Sequence, residues 1–169
     1  MRGIRRTALL VLVLAVVAWR EPSPMPAPCD LLTVQDAKTL LGFDVTLNRQ
    51  TARNCSYTRT GQAPSMDVPD GVELKVLAME GDDAAHTKFP SWAYPGGRTQ
   101  PTRTVTDVSG VGDEAVTTHT NDTGSKNDLK ISAICLRKGA VLVSIGTHPQ
   151  VTDAALKIAA AAVLSRLSK

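Results

Sequence analysis

Few side chains in this sequence are of the kinds that do chemistry, so their spacing is what decides. The chain has three histidines, His86, His119 and His148, and three cysteines, Cys29, Cys55 and Cys135. Asp82 and His86 stand four apart, which on a helix would put two potential ligands on one face, but a zinc site takes three or four. No two cysteines have CxxC spacing, which argues against a zinc ribbon or a thioredoxin-like dithiol. Gly110-Val111-Gly112-Asp113-Glu114-Ala115 fits the GxGxxG/A pattern, whose glycines bring a helix N-terminus close to a pyrophosphate. The next residues, Val116 to Thr120, are β-branched and strand-like, so the glycines read as a turn that uses positive φ. Asp113 and Glu114 would point to opposite sides of an extended chain, which argues against a carboxylate pair. No GxSxG elbow presents a nucleophile. The expectation is therefore a protein that is not an enzyme, with no catalytic residues, metal ligands or cofactor.

Phe89-Pro90-Ser91-Trp92-Ala93-Tyr94-Pro95-Gly96-Gly97 is the segment best suited to binding. It concentrates three aromatics in a loop bounded by proline and glycine, of the kind that lines an apolar groove or anchors a protein contact. Phe89, Trp92 and Tyr94 are the candidate binding residues. The competing reading is that these rings cap one edge of the core.

The start of the chain sets the compartment. Arg2, Arg5 and Arg6 precede an apolar run from Ala8 to Ala18, long enough for a signal peptide and too short for a membrane span. Val16 and Ala18 suit signal-peptidase specificity, so residues 1–18 read as a signal peptide cut before Trp19; an uncleaved signal anchor is the alternative. Val16-Val17-Ala18 would open a lipobox if a cysteine followed, but Trp19 holds that position, so no lipidation is expected there. Residues 19–28, rich in proline, form a tether, and residues 29–169 form one domain with a substantial core. The leader's three arginines, taken from 19 basic residues against 16 acidic ones, leave the remainder formally neutral. That removes the simplest electrostatic case for nucleic-acid binding. In an oxidising compartment Cys29 can pair with Cys55, closing a loop worth about 3–4 kcal/mol in the chain-entropy model. Cys29 with Cys135 competes, since spacing does not settle connectivity. In the first case Cys135 is a buried free thiol.

The elements that must position these residues follow from periodicity. Thr33 and Asp36 have capping-box spacing, and Val34, Ala37, Leu40 and Leu41 share a helical face that Gly42 ends. From Cys55 the period becomes two: Cys55, Tyr57 and Arg59, then Val72, Leu74, Val76 and Ala78, predict two strands joined by a polar loop over 61–71. Asp82 caps a short helix predicted to end near Phe89-Pro90. Strands are predicted over 103–108 and 114–120, a loop over 121–128, and a hairpin of 129–136 with 140–147. In the hairpin Ile131, Ala133 and Cys135 share one side, and Val141, Val143 and Ile145 face the core. Thr152 caps a final helix with Leu156, Ala159, Val163 and Leu167 as its buried stripe. Strands and helices do not alternate strictly, so the fold class is α+β: an antiparallel sheet packed by the N-terminal and C-terminal helices.

Cys29-Asp30-Leu31-Leu32-Thr33 with Asp36-Ala37 and Leu40-Leu41-Gly42, then Cys55-Ser56-Tyr57, Gly110 to Ala115 and the closing alanine-rich helix resemble the actinobacterial envelope proteins and lipoproteins of domain of unknown function 3558. More distantly the organisation is similar to extracytoplasmic sensor domains of mycobacterial serine/threonine kinases. The resemblance implies an exported α+β domain with a Cys29–Cys55 disulfide and brings no activity with it. Trp19 and the additional Cys135 depart from the lipoprotein pattern. The function expected is an exported, non-catalytic binding module of the cell envelope, sensor-like, whose partner is an envelope protein or a small apolar ligand. Peripheral association with the membrane is compatible with this. The alternative is an envelope hydrolase acting on a cell-wall or lipid substrate, which would need a histidine beside both a carboxylate and a serine.

Overall fold

Thr33 starts the first substantial helix by the mechanism its spacing predicts. Its Oγ1 accepts from the Asp36 amide, and the Asp36 carboxylate accepts from the Thr33 amide at 2.8 Å. In this computed structural model, which describes residues 25–62, 69–122 and 129–168, that helix is α2 (Val34–Leu41), preceded by the single turn α1 (Pro28–Leu31). The expected signal peptide, Trp19 and most of the expected tether lie outside the described residues, as do 63–68 and 123–128 of the two polar loops. Val34 is 44% exposed, so the face α2 buries consists of Ala37 and Leu40.

Seven strands follow: β1 (Val45–Gln50), β2 (Asn54–Arg59), β3 (Gly71–Ala78), β4 (Arg103–Asp107), β5 (Glu114–Asp122), β6 (Leu129–Lys138) and β7 (Val141–His148). They form one sheet in the order β1-β2-β3-β7-β6-β5-β4, with every neighbouring pair antiparallel. The helices α3 (Asp82–Ala93) and α4 (Asp153–Leu167) complete the domain. The α+β class with an antiparallel sheet is as expected.

Alternation of side chains divides the sheet into two unequal cores. On the first face Cys55, Tyr57, Leu74, Ile134, Val143 and Ile145 meet Leu31, Leu32 and Leu40 of the N-terminal helical segment and Leu156, Ala160 and Val163 of α4. Fully burying each large aliphatic here contributes about 1.5–3 kcal/mol. On the second face Ala85, Phe89 and Ala93 of α3 cover Val116, Cys135 and Leu142. The two sides of the β6–β7 hairpin therefore serve different cores: Val143 and Ile145 the first, Cys135 the second.

Two predicted features are corrected. The short helix expected to be capped by Asp82 and to stop near Phe89-Pro90 has Gly81 at its N-cap and Asp82 in its first turn, where the carboxylate pairs with Arg137 instead of capping, and it continues through Pro90 to Ala93. Ala85, Phe89 and Ala93 recur every four residues on one face, and their burial outweighs the helix-breaking tendency of proline. The aromatic segment is thus mostly helix rather than loop. β1 is an additional strand at the sheet edge; only Val45 of its six residues is buried, and a register shift between Leu47 and Arg49 breaks its alternation.

Cys29 and Cys55 are disulfide-bonded, with Cα atoms 5.2 Å apart, which ties α1 to β2. Tyr57 reinforces the same junction by donating its hydroxyl to the Leu32 carbonyl at 2.9 Å in a buried setting. Cys135 is free and buried. The competing Cys29–Cys135 pairing fails because Cys55 packs in the first core and Cys135 in the second, across the sheet.

Candidate functional site

Among the described residues the second face is only half covered. Cross-strand register sets its side chains in rows across β7, β3 and β2: His148, Gly71 and Thr58; Gly146, Glu73 and Ser56; Ser144, Lys75 and Asn54; then Leu142 and Leu77. α3 covers the last row, where Leu142 is buried and Leu77 packs beside Trp92. The other rows lie open, and small residues keep their floor low. A cavity of about 290 Å³ stands over Ser56, Gly71, Glu73, Ile131, Gly146 and His148. A second, of about 320 Å³, is lined by Asn54, Lys75, Leu77 and Trp92 at the foot of α3.

Glu73, which lines the first cavity, contacts two residues that line the second, so the two lie side by side along one trough. It accepts from Asn54 Nδ2 at 2.6 Å and pairs with Lys75 at 2.8 Å. The Asn54 amide is oriented by that bond, since a carboxylate requires the NH2 side. Asn54 Oδ1 is then left buried with no partner, and so is Trp92 Nε1. At the far end Asp70 lies 3.2 Å from both Arg59 and His148 Nδ1, the latter without hydrogen-bond alignment. The two floor glycines differ. A Cβ at Gly71 would sit 2.2 Å from the Tyr57 carbonyl oxygen, so β2 and β3 approach too closely there for any side chain. A Cβ at Gly146 would meet only the Ala133 methyl, at 4.0 Å, so that position holds the trough open without being sterically required to.

The three aromatics singled out from the sequence do not converge. Successive residues turn about 100° around a helix axis. Phe89 is buried in the second core, 4% exposed, while the half-buried Trp92 lines the trough. Tyr94, at the C-cap of α3, lines a separate cavity of about 240 Å³ with Phe89, Arg98 and Asp107. There the Arg98 guanidinium lies 5.2 Å from the Tyr94 ring centroid.

The histidines do not converge either. His119 Nε2 is 2.7 Å from Asp153 at the start of α4, His86 pairs with Glu114, and His148 faces Asp70. Only His148 lines the trough, and the hydroxyl in its row, on Thr58, is two strand spacings away, about 9.6 Å. Nucleophilic catalysis needs its base within about 3.2 Å of the hydroxyl. Among the described residues no three His, Cys, Asp or Glu side chains gather as a metal site would require.

The Gly110 to Ala115 motif proves to be a clasp on the β6–β7 hairpin. Gly112 has φ +66°, and a Cβ on it would lie 2.4 Å from the Arg137 carbonyl oxygen. The Asp113 amide donates to that same oxygen at 2.8 Å. Its carboxylate accepts from the Gly139 amide at 2.7 Å and from Lys138 at 2.9 Å. Those two bonds hold the Asp113 carboxyl below its ordinary range. Asp113 precedes β5, so it and Glu114 converge instead of pointing apart: Arg137 lies 3.8 Å from Asp113 and 2.7 Å from Glu114, and also pairs with Asp82. Burial raises the Glu114 carboxyl, but hydrogen bonds from His86 and Arg137 outweigh it, and the net shift is downward. Asp82 and His86, four apart on α3, are thus each engaged in an ion pair.

Asn54, Ser56, Glu73, Lys75 and Gly146 carry the trough, and none was singled out from the sequence. Their one signal there was the polar half of the period-two pattern in β2 and β3, which marks a face turned away from the first core.

No family model matches the chain, and no curated protein does, so the resemblance to domain of unknown function 3558 is not confirmed. Among solved structures the chain is similar to the extracellular domain of PknH from Mycobacterium tuberculosis, with 17% identity over 88% of this chain and 79% of that one, at a TM-score of 0.43.

Proposed function

We propose that this chain is a non-catalytic, extracytoplasmic binding module whose ligand occupies the trough on the open half of the second sheet face. The observation that carries this reading is the lopsided cover of the sheet among the described residues: the first face is sealed by helices, whereas the second keeps two neighbouring cavities over Asn54, Glu73, Lys75, Gly146 and His148. A fold with no use for that space would fill it, as the first core does with Leu74, Val143 and Ile145. The disulfide supports an oxidising compartment, because such bonds are rare in reducing cytosol. Binding is favoured over hydrolysis because the serine nearest a carboxylate-held histidine, Ser132 across the ladder from His119, has its hydroxyl engaged by Thr147 and the Val151 amide instead of by the imidazole. The lining is more apolar than polar, with Asn54, Glu73 and Lys75 set into it, which suits a ligand that carries both polar groups and apolar surface, and either a small molecule or a segment of an envelope partner can present these.

Gly146→Leu tests the reading, because the added side chain fills the trough without meeting the backbone. Protein purified from its own cell envelope is expected to carry a bound species in native mass spectrometry, and G146L to lose it while keeping the fold. Retention of the same species by the folded variant would refute the assignment.

A further inference from the structure

The α3 end of the trough carries a more specific signature, which rests on the trough being the binding site. Asn54 Oδ1 needs a donor and Trp92 Nε1 needs an acceptor; both atoms are buried and unpartnered, and both residues line the same cavity of about 320 Å³, where a turn of either side chain on binding would present its polar atom. Buried polar atoms left without partners are rare in folded proteins, so two beside one cavity point to a group that belongs there. Next to them Glu73 and Lys75 stand 2.8 Å apart, with 42% and 51% of their side chains exposed. Each keeps free capacity: two ammonium protons on Lys75, further lone pairs on Glu73. Leu77 lies beside Trp92, so polar groups border an apolar wall.

We infer that this end of the trough is a subsite for a neutral saccharide, whose hydroxyls bond Asn54, Glu73 and Lys75 and whose C–H face rests on Trp92 and Leu77. A hydroxyl is both donor and acceptor, so one can serve Asn54 Oδ1 while a neighbour serves Trp92 Nε1. Vicinal hydroxyls are spaced like the Glu73–Lys75 pair, one donating to the carboxylate and the next accepting from the ammonium. Most of the charge is matched: Glu73 is balanced by Lys75 and Asp70 by Arg59, while Arg53, which also lines the cavity, adds a guanidinium that can donate to a further hydroxyl. An extended peptide fits less well. Peptides docking on sheets bind along an open edge through main-chain bonds, whereas the floor here is the face of β2, β3 and β7, whose backbone groups are already paired with neighbouring strands.

The test follows the indole N–H signals of Trp19 and Trp92 in the 15N-labelled full chain, assigned by Trp92→Phe. Chitotriose, cellotriose, maltotriose and tri-alanine are titrated to about 10 mM, above the millimolar Kd of a weak ligand. At least one trisaccharide is expected to shift the Trp92 signal and leave that of Trp19 in place. Trp92→Phe, which removes the donor and keeps the ring, and Asn54→Ala are each expected to weaken that binding tenfold or more by calorimetry. A shift with tri-alanine and none with the sugars would overturn the saccharide assignment and leave the trough as a peptide site. No shift with any probe, while Gly146→Leu still strips the co-purified species, would overturn the saccharide assignment alone. No shift together with an unaffected G146L would overturn both this inference and the binding function on which it rests.

Discussion

Asp36→Ala offers a sharp test of how the domain is held together, because one carboxylate serves two structures distant in sequence. Asp36 closes the capping box of α2, accepting from the Thr33 amide at 2.8 Å, and pairs with Arg166 near the end of α4 at 2.7 Å. Arg166 also donates to the Leu31 carbonyl at 2.6 Å, which ties α1 into the same knot. Loss of the cap costs about 1 kcal/mol. The ion pair has side chains 30% and 20% exposed, so its charged hydrogen bonds contribute less than a fully buried pair, about 1–2 kcal/mol. The expected loss is thus about 2–3 kcal/mol, read by urea denaturation at neutral pH. In a double-mutant cycle with Arg166→Met, about 1 kcal/mol or more of it should appear as coupling. The pH dependence has a definite sign. Burial raises the Asp36 carboxyl, but bonds from Arg166 and Thr33 outweigh it and leave it below its ordinary 3.8. A carboxyl lowered by folding contributes stability that is present above 3.8 and lost as pH falls through the folded value. The gap between wild type and D36A should therefore narrow in strong acid. A cycle additive to within about 0.3 kcal/mol, or a gap independent of pH, would refute the shared role.

Four further outcomes are expected. Gly112→Ala should destabilise by about 2 kcal/mol or more in urea melts, since its Cβ collides with the Arg137 carbonyl at positive φ. Gly139→Ala, with positive φ but open space around it, should cost only about 1 kcal/mol. Replacing both Cys29 and Cys55 by alanine should cost about 3.5 kcal/mol, the loop-closure value for a separation of 26 residues, and wild type with reductant should match it. Cys135, whose thiol burial pushes up, should resist iodoacetamide in the native protein and react at a rate that follows unfolding.

The parts of the fold that were legible in the sequence are those where one local rule governs. Thr33 with Asp36, the alternation of Val72, Leu74 and Val76, and the hairpin of 129–136 with 140–147 each declare an element by spacing alone, and each forms, although the strands run on through Arg137 and Lys138 and leave Gly139-Ala140 as the turn. β1 was illegible because an edge strand with one buried residue and a bulge has no period to read. The end of α3 was misread because Pro90 is a strong local stop, while the burial of Phe89 and Ala93 that overrides it depends on Cys135 and Leu142, far along the chain. The trough was illegible for a further reason. Its residues come from β2, β3 and β7, with α3 supplying Trp92, and only the strand order brings Asn54 beside Lys75 and Glu73 beside Gly146. The aromatic segment drew attention by composition, yet helical rotation leaves only Trp92 of its three rings in that trough.

The bond between Cys29 and Cys55 also sets how the domain answers to force. Cys29 lies in the first helical turn of the described residues, and without the bond a pull on the preceding chain would peel α1 from the first face one contact at a time. With it, the load passes directly into β2, whose ladders with β1 and β3 would have to give way together. Tension from the N-terminal side is therefore carried by β2 itself, and because Asn54 and Ser56 flank Cys55 on the trough side of the sheet, the same load would bear on the floor of the binding surface.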